Sequence, residues 1–124
     1  MKKICLIGYG YWGKIIHKNL MSLGHDDVKI IDIVLDNFHE LDDSYDYYFV
    51  ITPFTSHHEV LSKIGQYKNK RIWCEKPLVN TLEESTEIYS LMEQNNNGET
   101  VLHHLIKSND NKCAESVLNF IKKN

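Results

Sequence analysis

The sequence lacks long hydrophobic runs, an excess of positive charge and a regular set of cysteines. No stretch of about 18 apolar residues occurs, so no transmembrane helix is expected. The first apolar run stops at Gly8, which is too soon for a signal peptide. The formal net charge of −3 argues against general nucleic-acid binding, because that function needs a basic surface. The three scattered cysteines do not form a disulfide framework and indicate a cytoplasmic protein.

The 124 residues alternate between short apolar strands and amphipathic helices, without an internal repeat or a long linker. Strands are predicted at residues 3–7, 28–34, 47–51, 71–74 and 100–106. This alternation predicts a single domain over residues 1–124 with a Rossmann-type doubly wound α/β fold, in which a parallel sheet lies between two helical layers.

The helix ends carry recognisable signals. Ser56 with Glu59, and Thr81 with Glu84, have the spacing of a capping box, in which two side chains satisfy the first N–H groups of a helix. Gly24 is expected to end the first helix, since glycine readily adopts the left-handed conformation found there. A last helix is predicted from the apolar positions up to Ile121.

A glycine-rich turn follows the first predicted strand. It reads Gly8-Tyr9-Gly10-Tyr11-Trp12-Gly13, a G-x-G-x-x-G pattern that opens an amphipathic helix. In this context the pattern indicates a dinucleotide site, where the phosphates meet free N–H groups at the positive end of the helix dipole. Gly8 permits the tight turn, Gly10 lets a pyrophosphate approach the backbone, and Gly13 allows close helix packing. The alternative is an ordinary glycine-rich turn.

An acidic residue is expected about 20 positions after the glycine turn, where it would hold the ribose hydroxyls. Asp32 interrupts an apolar run there, and Asp36 is the alternative. Neither is followed by an arginine suited to a 2′-phosphate, so NAD is favoured over NADP.

Two further segments follow predicted strands. Thr52-Pro53-Phe54-Thr55-Ser56-His57 comes after the third long strand, and Glu75-Lys76-Pro77 comes after the next. Because the carboxyl ends of parallel strands share one edge of the sheet, both segments should lie where the dinucleotide binds. For Glu75-Lys76, a surface ion pair is an equally good interpretation from the residues alone.

Together these motifs resemble the N-terminal domain of the glucose–fructose oxidoreductase/inositol dehydrogenase (Gfo/Idh/MocA) family of NAD(P)-dependent enzymes. The resemblance spans nearly the whole chain, through the glycine turn, Thr52-Pro53 with His57, Glu75-Lys76-Pro77-Leu78 and Thr81-Leu82-Glu83-Glu84. It implies a strand order like 3-2-1-4-5-6. It also implies an oxidoreductase that acts on sugar-like or nucleotide-sugar secondary alcohols by hydride transfer.

The resemblance also implies roles for individual residues. The implied contacts with the pyrophosphate are Gly8, Gly10, Tyr11, Trp12 and Gly13, and Asp32 would bind the adenosine ribose. Thr52, Pro53 and His57 would line the pyrophosphate and nicotinamide side of the cofactor. Glu75 would lie beside the nicotinamide ribose, and Lys76 would also contact the cofactor. Lys76 matches the family's active-site lysine, which hydrogen-bonds the reacting hydroxyl and helps its deprotonation. Pro77 would fix the loop that aims this lysine.

The chain departs from the family in two places. Between Asp32 and Tyr47 it is shorter than the usual helix and strand, so Ile33-Val34-Leu35 is expected to serve as the third strand. The family's second domain, which supplies the substrate pocket, a further histidine and usually the dimer interface, is expected to be absent.

Several functions therefore stay open. The first is an NAD(P)-dependent oxidoreductase, or the dinucleotide domain of one. The second is a non-catalytic NAD-binding module, or a subunit that needs a separate substrate-domain partner. A third is a remnant that binds nothing. The apolar edge strand at residues 100–106 predicts a homodimer or a partner contact.

No metal site is expected from the histidine doublets. His103 and His104 lie on a predicted strand, where adjacent side chains point to opposite faces of the sheet. No cysteine lies at ligand spacing from either doublet.

Overall fold

The computed structural model describes residues 2–75, 79–97, 101–103 (backbone only), 115 and 117–121. The helices and strands are β1 (Ile4–Ile7), α1 (Tyr11–Ser22), β2 (Val28–Ile31), β3 (Tyr47–Val50), α2 (His57–Ile64), β4 (Arg71–Glu75), α3 (Leu82–Gln94) and β5 (Val101–His103). Residues 117–121 are also helical. No helix in this part of the chain is long and apolar enough to cross a membrane.

The strands form one parallel sheet in the order β2-β1-β3-β4-β5. The chain runs outward from β1 to β2, then crosses back to β3 and continues to β4 and β5. This change of direction between β1 and β3 creates the switch point at which doubly wound sheets bind ligands. The predicted Rossmann-type α/β class is confirmed.

Buried side chains alternate between the two faces of the sheet and form two separate cores. On one face, Tyr48 and Val50 pack with the apolar stripes of α2 and α3. On the other, Phe49 packs with α1 and with Phe120 from the last helical segment. These layers enclose the central strands, in which β1 and β3 are buried at every position.

The helix termini show which local signals determine the structure. Gly24 has φ +92°, and the N–H groups of Gly24 and His25 donate to the carbonyls of Met21 and Leu20, which completes a left-handed helix end as predicted. Thr81 Oγ1 accepts from the Glu84 N–H at 3.1 Å, as predicted. The capping box at Ser56 was wrong, because its hydroxyl donates back to the Pro53 carbonyl within a short 3₁₀ turn.

The expected third strand is not formed. Residues 33–35 make a 3₁₀ turn with exposed side chains, so the 3-2-1 part of the expected order was wrong. Within the described residues, β2 is the outermost strand on this side of the sheet. The buried Asn37 side chain pairs with this outer edge instead. Its amide donates to the Ile30 carbonyl at 2.8 Å and accepts from the Asp32 N–H at 2.9 Å. These are backbone groups that a neighbouring strand would otherwise pair with.

We expect Asn37→Ala to lower the free energy of unfolding by about 2 kcal/mol, because two edge groups lose their partner. Urea denaturation followed by circular dichroism measures this loss. Asn119→Ala, at an exposed helical position, is the control and should stay within about 0.5 kcal/mol. Equal stability of Asn37→Ala and the wild type would contradict the edge-pairing role.

Candidate functional site

The glycine turn brings three segments of backbone together at the carboxyl end of β1. Gly8 has φ +101°, and a Cβ on it would lie 2.7 Å from the Ile51 carbonyl carbon and 2.8 Å from the Thr52 nitrogen. A Cβ on Gly13 would lie 2.2 Å from the Gly8 carbonyl oxygen. Side chains at either position would therefore push α1 or the end of β3 away from the turn.

Gly10 has the opposite surroundings. A Cβ built there meets no atom within 4 Å, and its φ of −82° suits any residue. It is the N-terminal cap of α1 and has no side chain to bond the first N–H groups of the helix. The space beside Gly10 thus faces backbone donors and the positive end of the α1 dipole, the arrangement that binds a phosphate.

Asp32 ties the end of β2 to this turn. Its Oδ1 accepts from the Tyr9 N–H at 2.7 Å, and its Oδ2 accepts from the Val34 N–H at 3.0 Å. Each carboxylate oxygen has a further lone pair for a ligand. Asp36 lies beyond the 33–35 turn, exposed and in the left-handed conformation. The geometry thus joins Asp32, of the two alternatives, to the glycine turn.

Thr52 and Pro53 follow β3 at the same edge. Thr52 Oγ1 is shielded from solvent and has no hydrogen-bond partner within the described part of the chain. A buried hydroxyl of this kind normally has a partner, so a ligand that reaches it would satisfy it. Pro53 then starts the 3₁₀ turn that leads into α2.

His57, the first residue of α2, is 1% exposed. Its Nε2 lies 3.0 Å from the Thr52 carbonyl oxygen, and its Nδ1 lies 3.6 Å from Cys74 Sγ on β4. Burial raises the pKa of the Cys74 thiol to about 12, so this group is a neutral thiol at physiological pH. The buried His57 side chain therefore contacts both the residue that follows β3 by two positions and the end of β4.

Glu75 is the last residue of β4 and is half-buried at the same edge. Lys76, Pro77 and Leu78 lie outside the described residues. The roles predicted for Lys76 and Pro77 stay predictions. Among the described residues, no group of three or more histidine, cysteine or acidic side chains is placed to hold a metal ion.

A depression of about 490 Å³ runs along the outer side of α1, separate from this edge. It is lined by Tyr9, Lys14, His17, Lys18, Met21 and Ser22. Only Tyr9 belongs to the glycine turn, and its hydroxyl lies 2.8 Å from His17 Nδ1. Its other lining residues lie along α1 from Lys14 to Ser22.

Three positioning contacts were missed by sequence reasoning: Tyr9 N–H to Asp32, Asn37 to the β2 edge, and Cys74 to His57. Each joins residues that are distant in sequence or uses a backbone group. Of these contacts, the one with a signal in the sequence is that of Asn37 with β2, because a polar residue follows Asp32 by five positions.

The chain is similar in sequence to a known protein family. A sequence model described as the oxidoreductase family with an NAD-binding Rossmann fold (Gfo/Idh/MocA) matches residues 26–103. The chain belongs to this family. The match includes Asp32, the segment after β3 and Glu75-Lys76-Pro77, whereas the glycine turn lies before it. No curated protein sequence matches the chain.

Solved structures share the fold of this Gfo/Idh/MocA chain. A probable dehydrogenase from Thermotoga maritima matches with a TM-score of 0.64 and 22% identity over 82% of this chain and 35% of that protein. An Agrobacterium radiobacter oxidoreductase in complex with NAD+, L-tartaric acid and magnesium matches with a TM-score of 0.64 and 17% identity, covering 82% and 35%. Levoglucosan dehydrogenase, in complex with NADH and levoglucosan, matches with a TM-score of 0.60 and 20% identity, covering 83% and 34%. The chain spans about a third of the length of these proteins.

Two alanine substitutions test the geometry of the glycine turn. Gly13→Ala should lower the free energy of unfolding by about 3 kcal/mol, because the new methyl would overlap the Gly8 carbonyl oxygen. Gly10→Ala is the matched control and should cost no more than about 1 kcal/mol, since its methyl meets no atom. Urea denaturation of both variants measures the difference, and similar losses would contradict the assigned geometry.

Proposed function

We propose that this chain binds NAD across the carboxyl edge of its sheet and forms the dinucleotide-binding part of an oxidoreductase. The substrates proposed are sugar-like or nucleotide-sugar secondary alcohols, which exchange a hydride with the cofactor. The observation that supports binding is a difference between the glycines of one turn in the space beside each of them. Gly8 and Gly13 are packed against backbone, while Gly10 leaves open space at the start of α1.

The pyrophosphate would lie beside Gly10, on the backbone N–H groups of Tyr11, Trp12 and Gly13. These donors are the first in α1, and no capping side chain competes for them. The buried Thr52 Oγ1 supplies a further group on the opposite side of the switch point. The residues present thus fit a dinucleotide at the switch point between β1 and β3.

The adenosine ribose would be held by Asp32, which is already oriented by the Tyr9 and Val34 N–H groups. A carboxylate at this position accepts hydrogen bonds from ribose hydroxyls and repels a 2′-phosphate, which supports NAD over NADP. Next to Asp32, Ile33 and Val34 are 92% and 86% exposed. They offer an apolar surface against which a flat adenine ring would pack.

The catalytic step would take place at the end of β4. When bound, NAD supplies a nicotinamide C4 that accepts or donates the hydride. By the family resemblance, Lys76 hydrogen-bonds the reacting hydroxyl and helps it to lose its proton, and Glu75 lies beside the nicotinamide ribose. Such a lysine needs either a lowered pKa, which burial would supply, or a proton relay.

A second candidate is a non-catalytic NAD-binding module, or a subunit that requires a separate substrate-domain partner. The cofactor contacts proposed above would be the same for this candidate, and the chain spans about a third of the length of the oxidoreductases that share its fold. A homodimer or partner contact through the edge strand β5 belongs to this candidate. NAD-dependent oxidation of polyols or nucleotide sugars by the purified chain would distinguish the enzyme from the module.

NADH binding tests the proposal directly. Titration calorimetry should show saturable binding of NADH, weaker binding of NADPH, and an affinity at least tenfold lower for Gly10→Ala, because the methyl occupies the phosphate position. Gly24→Ala is the control. It adds a side chain at φ +92° at the other end of α1, so it should cost about 1 kcal/mol of stability and leave the NADH affinity unchanged. Absence of NADH and NAD binding to the folded wild type would contradict the proposal.

A further inference from the structure

We propose that Cys74 and His57 form a buried hydrogen-bond relay that positions Thr52 and the turn at residues 53–56 for dinucleotide binding. Both are positioning residues, since each acts on the site through another group. The effect on ligand binding rests on the proposed function, whereas the relay itself concerns this chain's own residues. The family resemblance predicted His57 as a cofactor contact and did not predict its hydrogen bonds with Thr52 and Cys74.

The relay joins two strand ends through one imidazole ring. Nε2 of His57 is 3.0 Å from the Thr52 carbonyl oxygen, and Nδ1 is 3.6 Å from Cys74 Sγ. The contacts lie deep in the protein, with His57 1% exposed and Cys74 fully buried. Because the residues come from β4, the start of α2 and the segment after β3, the ring fixes their relative positions.

The chemistry of the partners determines the protonation of the ring. A carbonyl oxygen only accepts hydrogen bonds, so His57 Nε2 must carry the proton in the bond to Thr52. In the neutral ring Nδ1 is then an acceptor. The Cys74 S–H lies 3.6 Å from Nδ1 and 3.4 Å from the Glu75 carbonyl oxygen, so its one proton is shared between these two acceptors. The raised pKa of Cys74, caused by burial, keeps that donor proton in place. The thiol thereby favours the tautomer that holds Thr52.

The held carbonyl lies directly at the candidate site. Thr52 carries the unpaired buried Oγ1, and its nitrogen would lie 2.8 Å from a Cβ built on Gly8. A shift of the Thr52 peptide would move that hydroxyl and loosen the turn after it, where the Ser56 N–H donates to the Pro53 carbonyl at 3.0 Å. Loss of the Cys74 thiol donor should therefore change both the position of the Thr52 hydroxyl and the stability of the turn at residues 53–56.

The chain contains a matched comparison for Cys74. Cys5 on β1 is also fully buried, lies in the same core, and has a pKa raised to about 12 by burial. No hydrogen bond from its thiol to a histidine is formed within the described residues. Cys5→Ala thus reports the cost of deleting a buried thiol in this core without deleting the relay.

The binding experiment compares Cys74→Ala, Cys74→Ser and Cys5→Ala, each with its unfolding free energy measured alongside. We expect NADH affinity to fall about fivefold in Cys74→Ala, and to stay within twofold of the wild type in Cys74→Ser, which restores a donor. Cys5→Ala should lose stability and keep wild-type affinity. Equal affinities for Cys74→Ala and Cys5→Ala would overturn the proposal.

A spectroscopic measurement decides the relay even if the chain binds no NADH. ¹⁵N imidazole spectra of the wild type should show His57 as the Nε2–H tautomer, assigned by loss of its signals in His57→Gln. In Cys74→Ala the Nδ1–H form should appear and the Ser56 amide should exchange with solvent faster than in Cys5→Ala. An unchanged tautomer and unchanged Ser56 exchange would overturn the relay, while absent NADH binding to the wild type would count against the proposed function alone.

Discussion

The close approach of backbone at the carboxyl end of β1 is the constraint on which the rest of the site depends. Gly8 touches the end of β3, and Gly13 touches the Gly8 carbonyl, so α1 starts directly above the central strands. The helix N-terminus is thereby aimed at the switch point between β1 and β3. Asp32 and Thr52 come to the same place because β2 and β3 flank β1 and end beside it. The backbone contacts of Gly8 and Gly13 therefore determine the geometry of the proposed dinucleotide site.

The sheet edge at β2 shows how the domain keeps this geometry with no described strand on the outer side of β2. The peptide groups that a further strand would pair with are taken up by the Asn37 side chain, and residues 33–35 turn outward beside Asp32. The glycine turn and its acidic partner are formed without a strand at residues 33–35. The side chains of Ile33 and Val34 are exposed beside Asp32, where the proposed adenine would cover them.

Sequence reasoning succeeded where one local requirement selects one residue type. The tight turn at Gly8 and the close packing at Gly13 were predictable, because only a residue without a Cβ fits beside backbone there. The ribose contact of Asp32 stays a prediction. It failed at Ile33-Val34-Leu35, whose apolar and mostly β-branched side chains favour a strand. The side chain of Asn37 pairs with the backbone of Ile30 and Asp32 instead. The Cys74–His57 contact joins residues 17 positions apart, so no local sequence pattern predicts it.

The most direct test of the central claim is a ¹H–¹⁵N NMR titration of the folded chain with NADH. The amide resonances of Tyr11, Trp12, Gly13 and Thr52 should shift and saturate together, because they surround the proposed pyrophosphate position. Those of Asp46 and Lys70, which precede β3 and β4 at the opposite edge of the sheet, should stay unchanged. Shifts confined to that opposite edge, or no shifts at millimolar NADH, would contradict a dinucleotide site at the glycine turn.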